Sequence, residues 1–177
     1  MTIPISGISN LDSIVRNDIL NEKNWFEDEI KERIAEDNGK MSELFSDYSC
    51  GLLSLFEDKN FISYSFTNSQ YFAGAAHGMT RYISYNYDLK RNKLVSFSEF
   101  FNLKSEKDSI FLMNLMTRRI ALENVEVNTF ENMDFNLTKD SISFNFDDYE
   151  IASYAEGAIQ VKIGKKEIAN LINKNYR

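Results

Sequence analysis

The sequence predicts an α+β domain in which an antiparallel sheet packs against two long helices and a short C-terminal helix. Two patterns carry this prediction. Apolar residues recur at helical spacing in two long windows, and around those windows lie blocks of short runs in which apolar and polar residues alternate. Strand blocks joined by turn-like segments, with few helices between them, argue against a parallel βαβ array. The chain has 177 residues, 43% of them hydrophobic, with 14 Phe and 9 Tyr. That is enough to bury one sizeable core, so residues 1–177 read as a single domain. A helix-and-strand part covers about residues 1–70 and a second part about 71–177.

The elements follow in order. Residues 3–7 read as a short opening strand. From 10 to 39, Leu11, Ile14, Val15, Ile19, Phe26, Ile30 and Ile34 lie on one helical stripe. The stripe weakens at 21–24, where Asn24 and Glu27 have the spacing of a cap, so a break near Asn24 is expected; Gly39 supplies a stop. Strands are predicted over 45–56, 61–66 and 80–88, with breaks at 57–60 and 67–70. Ile62, Tyr64 and Phe66 alternate with Ser63 and Ser65, and Ile83, Tyr85 and Tyr87 with Ser84 and Asn86. Such alternation predicts one face covered by a helix and one face wet.

A turn at 89–94 and a single helical turn at 98–101 lead to the second long helix. It starts near Ser105, has Asp108 in its first turn, carries Phe111, Leu112, Leu115, Met116 and Ile120 on one side, and is expected to end near Glu123. Strands at 135–137 and 141–146 flank the hairpin signal at 138–140, with Ile142, Phe144 and Phe146 alternating with Ser143 and Asn145. A last strand at 158–163 precedes a short helix that buries Ile168, Leu171 and Ile172.

Charge narrows the partners. Twenty basic against 27 acidic residues give a net charge of −7, which repels nucleic acid and favours cationic partners. No run of about 18 apolar residues exists to span a bilayer. The single cysteine, Cys50, in an apolar strand-like run, reads as a small buried hydrophobe. The single histidine, His77, has no nucleophile or metal partner nearby in sequence, so it reads as fixing a loop together with Gly74 and Gly78. No phosphate loop, dinucleotide fingerprint or calcium loop is present, and no metal site, cofactor or catalytic constellation is expected. The acidic run 27–29 reads as a solvated helix face, and Asp147-Asp148 as a turn or partner contact. The basic residues Lys162, Lys165, Lys166, Lys174 and Arg177 read as cations at a helix C-terminus, with contact to an anionic surface as the alternative.

Two segments together resemble a known bacterial pattern. Phe72-Ala73-Gly74-Ala75-Ala76-His77-Gly78, followed by Tyr85-Asn86-Tyr87-Asp88-Leu89 and Leu94-Val95-Ser96-Phe97-Ser98-Glu99-Phe100-Phe101, is similar to its Gly-Gly-Ala-His, Tyr-x-Phe-Asp-Leu and Leu-x-x-x-Asp-Leu-Phe elements. The run from Phe144 through Asp147, Asp148, Tyr149, Glu150, Ile151, Ala152, Ser153, Tyr154, Ala155 and Glu156 to Gly157 resembles its Tyr-Glu-Ile-Ala-Pro-Tyr-Ala-x-Gly signature, with Ser153 where the pattern has proline. The pattern is that of the extracytoplasmic domain of RsiV-type anti-sigma factors, shared with PdaC-type peptidoglycan deacetylases as an accessory domain and with bacterial lipoproteins.

The resemblance implies a non-catalytic binding module of the bacterial envelope, periplasmic or lipid-anchored, with a leader preceding Met1. It also implies a protein partner of the lysozyme class of basic cell-wall hydrolases; peptidoglycan is the alternative ligand, and a carboxylate-dependent hydrolase the least favoured reading. Tyr149, Glu150, Ser153, Tyr154 and Glu156 are the expected contact residues, with Gly157 a structural position beside them.

Overall fold

The computed structural model describes residues 5–39, 45–123, 125–130 and 133–177. In order it contains α1 (Ser9–Glu36), β1 (Asp47–Glu57), β2 (Phe61–Tyr71), β3 (Met79–Asp88), β4 (Lys93–Leu94), α2 (Phe97–Phe100), α3 (Glu106–Ile120), β5 (Asp134–Leu137), β6 (Ser141–Phe146) and β7 (Ile159–Gly164). Single 3-10 turns lie at Tyr154–Glu156 and Lys174–Tyr176. The strands form two antiparallel sheets, ordered β1-β2-β3-β4 and β5-β6-β7. The α+β class and antiparallel pairing are those the sequence predicts. Part of the expected opening strand, 3–4, lies outside the described residues, and Ile5 and Ser6 carry no strand.

Each sheet packs mainly on its own helix, although Phe61 of β2 joins the second core. Leu11, Val15 and Ile19 of α1 pack on Ile62, Tyr64, Phe66, Tyr85 and Tyr87, the apolar face of β2 and β3. Helix α1 is unbroken at Asn24, contrary to the expectation. Contacts on both sides of that point hold it straight: Glu22 binds Arg81 (2.5 Å), Lys23 pairs with Glu27, and Phe26 packs on the rings of Tyr48 and Phe72. Tertiary packing here outweighs a weak local cap. Beyond the helix, Gly39 takes φ +82° and its N–H reaches the Ile34 carbonyl at 2.9 Å, a left-handed stop.

The second core joins Leu112 and Met116 of α3 to Phe100, Phe101, Ile142, Phe144 and Phe146. Ser105 and Asp108 form a reciprocal capping box at the start of α3, and Ala121 in the left-handed region ends it three residues before the expected point. Ile168, Leu171 and Ile172 are buried as predicted, but the segment holding them is a series of turns and not a helix. Its backbone is committed elsewhere. Asn102 N–H donates to Leu171 O, Asn173 N–H donates to Phe100 O, and Phe101 bridges Ile172.

Two further expectations are corrected. Residues 67–70 do not break β2; they pair with β1 on one side and β3 on the other, which satisfies their backbone despite their polar side chains. The predicted wet face is buried. Ser63, Ser65 and Asn86 on the first sheet, with Asn136, Ser143 and Asn145 on the second, are all at most 4% exposed. They meet in a polar seam. Ser63 Oγ–H donates to Asn86 Oδ1 (2.8 Å), Asn86 Nδ2 to Phe135 O (2.7 Å), and Leu137 N–H to Ser63 Oγ (2.8 Å). The open backbone of edge strand β5 is thereby bonded to side chains of the first sheet.

The seam also closes an edge. Strand β4 pairs with β3 only at Tyr87 and Asp88, which leaves the outward N–H groups of Thr80, Tyr82 and Ser84 without a strand partner. Each meets an aspartate instead: Thr80 to Asp148 Oδ2 (2.6 Å), Tyr82 to Asp147 Oδ1 (2.7 Å) and Ser84 to Asp134 Oδ2 (2.8 Å). Asp134 Oδ1 additionally accepts from Ser84 Oγ and Asn145 Nδ2. Burial pushes the carboxyl groups of Asp134 and Asp147 above their ordinary values, and the donors draw them back.

Removing the Asp134 carboxylate orphans buried donors on Ser84 and Asn145, so Asp134→Ala costs about 2–4 kcal/mol in urea unfolding. The folded-state pKa of Asp134 lies above its unfolded value, so as pH rises the unfolded state loses the proton first. The stability gap between wild type and the variant is therefore widest in acid and narrows as pH rises through the folded-state pKa.

Candidate functional site

Two loops meet at one end of the strands. The β2–β3 connection reverses through Gly74 at φ +81°, with Ala75 N–H donating to Phe72 O at 3.0 Å, and delivers His77 beside the start of β3. Gly78 is needed for close approach, since a Cβ there would sit 2.9 Å from the carbonyl oxygen of Gln70. The β6–β7 connection leaves Phe146 and is clamped to β3 by the Asp147 and Asp148 carboxylates and by the return bond from Asp148 N–H to Thr80 O (3.1 Å). That clamp sets Tyr149 next to His77, 72 residues away in sequence.

The side chains form a stack. The His77 ring lies 3.7 Å from the Tyr154 ring at 19°, and the Tyr149 ring is 5.7 Å from both. Tyr149 Oη is 2.7 Å from His77 Nε2, and His77 Nδ1 is 3.0 Å from Gly78 O. A carbonyl only accepts, so Nδ1 carries the proton of the neutral ring, and Nε2 accepts from the Tyr149 hydroxyl. Tyr149 holds a backbone φ of +67°, a conformation that is uncommon for an aromatic residue. Tyr149 and Tyr154 stay 52% and 38% exposed in spite of the stacking. Large, half-exposed aromatics fixed by strand-anchored loops are the features of a contact surface.

The other expected residues divide by role. Glu150 folds back to accept from Asp147 N–H at 2.7 Å and so rigidifies the turn; desolvation, followed by the nearby Asp147 and Asp134 charges, raises its carboxyl. Ser153 and Glu156 bracket the 3-10 turn that carries Tyr154, with Glu156 N–H donating to Ser153 O at 3.1 Å, and both are exposed. Gly157 takes φ +68° and closes the turn through its N–H to Tyr154 O at 2.9 Å. Asp147 and Asp148, read from sequence as a turn or partner contact, are the clamp itself.

The membership of His77 in the aromatic stack was not legible from its local sequence. Within the described hydrogen bonds it touches a tyrosine hydroxyl and a carbonyl, and no serine or cysteine. Among the described residues no three His, Cys, Asp or Glu side chains are grouped to hold a metal ion. Cys50 is half-buried on β1, and desolvation raises its thiol, which disfavours the thiolate. No described helix is long and apolar enough to cross a membrane.

A family model described as "Protein of unknown function (DUF3298)" matches residues 11–166, which takes in both loops. The chain belongs to the DUF3298 family. Among solved structures it is similar to a DUF3298 family member from Bacteroides fragilis, at 20% identity and a TM-score of 0.61, covering 92% of this chain and 70% of that one. A DUF3298 protein from Pseudomonas aeruginosa matches at 16% identity and a TM-score of 0.49, covering 74% of this chain and 63% of that one. The Bacteroides likeness supports the fold alone. No curated protein matches the chain.

The hydrogen-bond geometry gives a direct expectation. Imidazole 15N shifts of the neutral His77 ring report the Nδ1–H tautomer, and Tyr149→Phe releases the tautomer preference. An Nε2–H ring in the wild type contradicts the arrangement.

Proposed function

We propose that this DUF3298 domain is a non-catalytic binding module of the bacterial envelope, which recognises a basic cell-wall hydrolase of the lysozyme class through the face built on His77, Tyr149 and Tyr154. The observation that carries the reading is the convergence of two distant signature segments into one exposed, strand-clamped aromatic stack. Its chemistry suits binding better than catalysis. The histidine orients a tyrosine, and no serine, threonine or cysteine stands within its hydrogen-bond reach in the described contacts. The resemblance to the RsiV-type extracytoplasmic domain supplies the partner class and the extracytoplasmic location.

Electrostatics agrees with a cationic partner. The net charge of −7 raises the association rate with a basic protein, and binding weakens as salt rises. Exposed Glu156 contributes at the rim, whereas the affinity rests on the two tyrosines. A second reading, a wall glycan or peptide ligand, draws on the same stack, because an aromatic face also packs on the apolar face of a sugar ring.

Calorimetry against a panel of lysozymes and related wall hydrolases decides between them. Tyr154→Ala is expected to cost on the order of 2 kcal/mol of binding with the unfolding midpoint unchanged. Absence of any complex tighter than about 100 µM at low salt sinks the hydrolase reading and moves the stack to the glycan reading, which soluble wall fragments then test.

A further inference from the structure

At the opposite end of the strands lies a cleft of about 390 Å³ that the proposed function does not use. Strand β2 begins at Phe61, in the wall of this cleft, and ends at Tyr71, just before the His77 loop. Its 11 residues, at about 3.3 Å each, separate the two regions by on the order of 30 Å. The cleft gathers the β1–β2 turn, the β3–β4 turn and the segment after β7. The helix whose dipole the basic C-terminal residues were expected to complement does not form, and Lys165, Lys166 and Arg177 line this cleft instead.

The charge of the cleft opposes that of the chain. Among the described residues, Lys90, Arg91, Lys165, Lys166 and Arg177 line it against two carboxylates, Asp58 and Asp88, within a protein of net charge −7. Both carboxylates are already engaged. Asp88 accepts from the Lys90 and Arg91 N–H groups at 2.9 Å and pairs with the Arg91 guanidinium at 2.5 Å, while Asp58 accepts from the N–H groups of Asn60 (2.7 Å) and Phe61 (2.8 Å). The remaining cations make no ion pair among the described residues, although the Asp58 and Asp140 charges act on Lys165 from farther off. Lys165 Nζ donates to the carbonyls of Thr138 (2.5 Å) and Lys139 (3.3 Å), and Arg177 to those of Ile172 and Asn170 (2.9 Å each). Lys90 and Lys166 are exposed and carry no ion pair among the described residues.

The floor is aromatic. Phe61 and Phe100 are 7% and 2% exposed, and the Tyr176 ring stacks on Phe100 at 5.4 Å and contacts Phe61 at 5.6 Å. The Arg91 guanidinium lies 5.1 Å above the Tyr176 ring, and Lys165 Nζ lies 4.7 Å above the Phe56 ring. Burial lowers the Lys165 ammonium from its ordinary value, and an anion beside it would reverse that shift.

We propose that this cleft binds a small amphipathic organic anion, whose carboxylate or phosphate head lies among Lys90, Lys165 and Lys166 and whose apolar body packs on Tyr176 over the aromatic floor. Each unsatisfied feature of the cleft has a counterpart in such a ligand. A bare inorganic anion leaves the aromatic floor uncovered, and a neutral apolar molecule leaves the cations unpaired. The site is independent of the His77 face, so either proposal stands if the other fails.

The test uses the whole chain, 15N-labelled, titrated with N-acetylphenylalanine, with phenyl phosphate, and with N-acetylphenylalaninamide as the neutral match. At least one anion is expected to give saturable shifts at Asn60, Lys90, Arg91, Lys165 and Lys166 with a Kd in the range of about 1 mM or tighter, and the amide to bind at least about tenfold more weakly. The tighter of the two anions identifies the head group. Lys90→Gln combined with Lys166→Gln, both at exposed positions, is expected to weaken binding at least about tenfold with an unchanged melting temperature. No saturation by either anion, equal binding of acid and amide, shifts outside the cleft, or indifference to the double substitution overturns the proposal.

Discussion

Three aspartates bonded to one strand edge hold this structure in register. An unpaired strand edge exposes a row of N–H groups, which folded proteins cover by pairing, by charge or by an overlying segment. Here the row on β3 is covered by Asp134 from β5 and by Asp147 and Asp148 from the end of β6, so the second sheet docks onto the first through carboxylate to backbone bonds. Desolvating carboxylates is costly, and the cost is offset because each accepts from a fixed donor in good geometry. The two apolar cores lie outside this joint, one under α1 and one under α3. They stabilise mainly each half, with Phe61 of β2 reaching into the second, and the aspartates together with the Ser63 and Asn86 seam set how the halves meet.

The same joint makes the candidate site. Asp147 and Asp148 directly precede Tyr149, and Thr80 lies three residues after His77, so the bonds that seal the edge also bring the two loops together. The domain thereby acquires two unlike ends. One carries an aromatic stack with acidic neighbours and the other a cationic cleft over an aromatic floor.

Much of the fold was legible from periodicity. The alternation in Ile142, Phe144 and Phe146 and the stripe of Leu11, Val15 and Ile19 placed both cores correctly, because burial of an apolar face is what those patterns encode. The polar face was misread for an equally physical reason. Ser63, Ser65, Asn86, Ser143 and Asn145 alternate in the same way whether they meet water or one another, and only the facing sheet tells the two apart. The break at Asn24 and the C-terminal helix failed because both expectations used local signals where distant contacts decide. At the site, Tyr149 and Tyr154 could be singled out by residue type and resemblance, but their meeting with His77 depends on a clamp between residues more than 60 apart. Nothing local to Ala76-His77-Gly78 reports it.

Native-state amide hydrogen exchange at Thr80, Tyr82 and Ser84 tests the aspartate joint most directly. If carboxylates close the β3 edge, these three amides exchange only through opening of the sheet interface, with protection comparable to the doubly paired amides of β2, and Asp147→Ala selectively releases Tyr82. Exchange of all three at the rate of a solvent-exposed edge in the wild type contradicts the account.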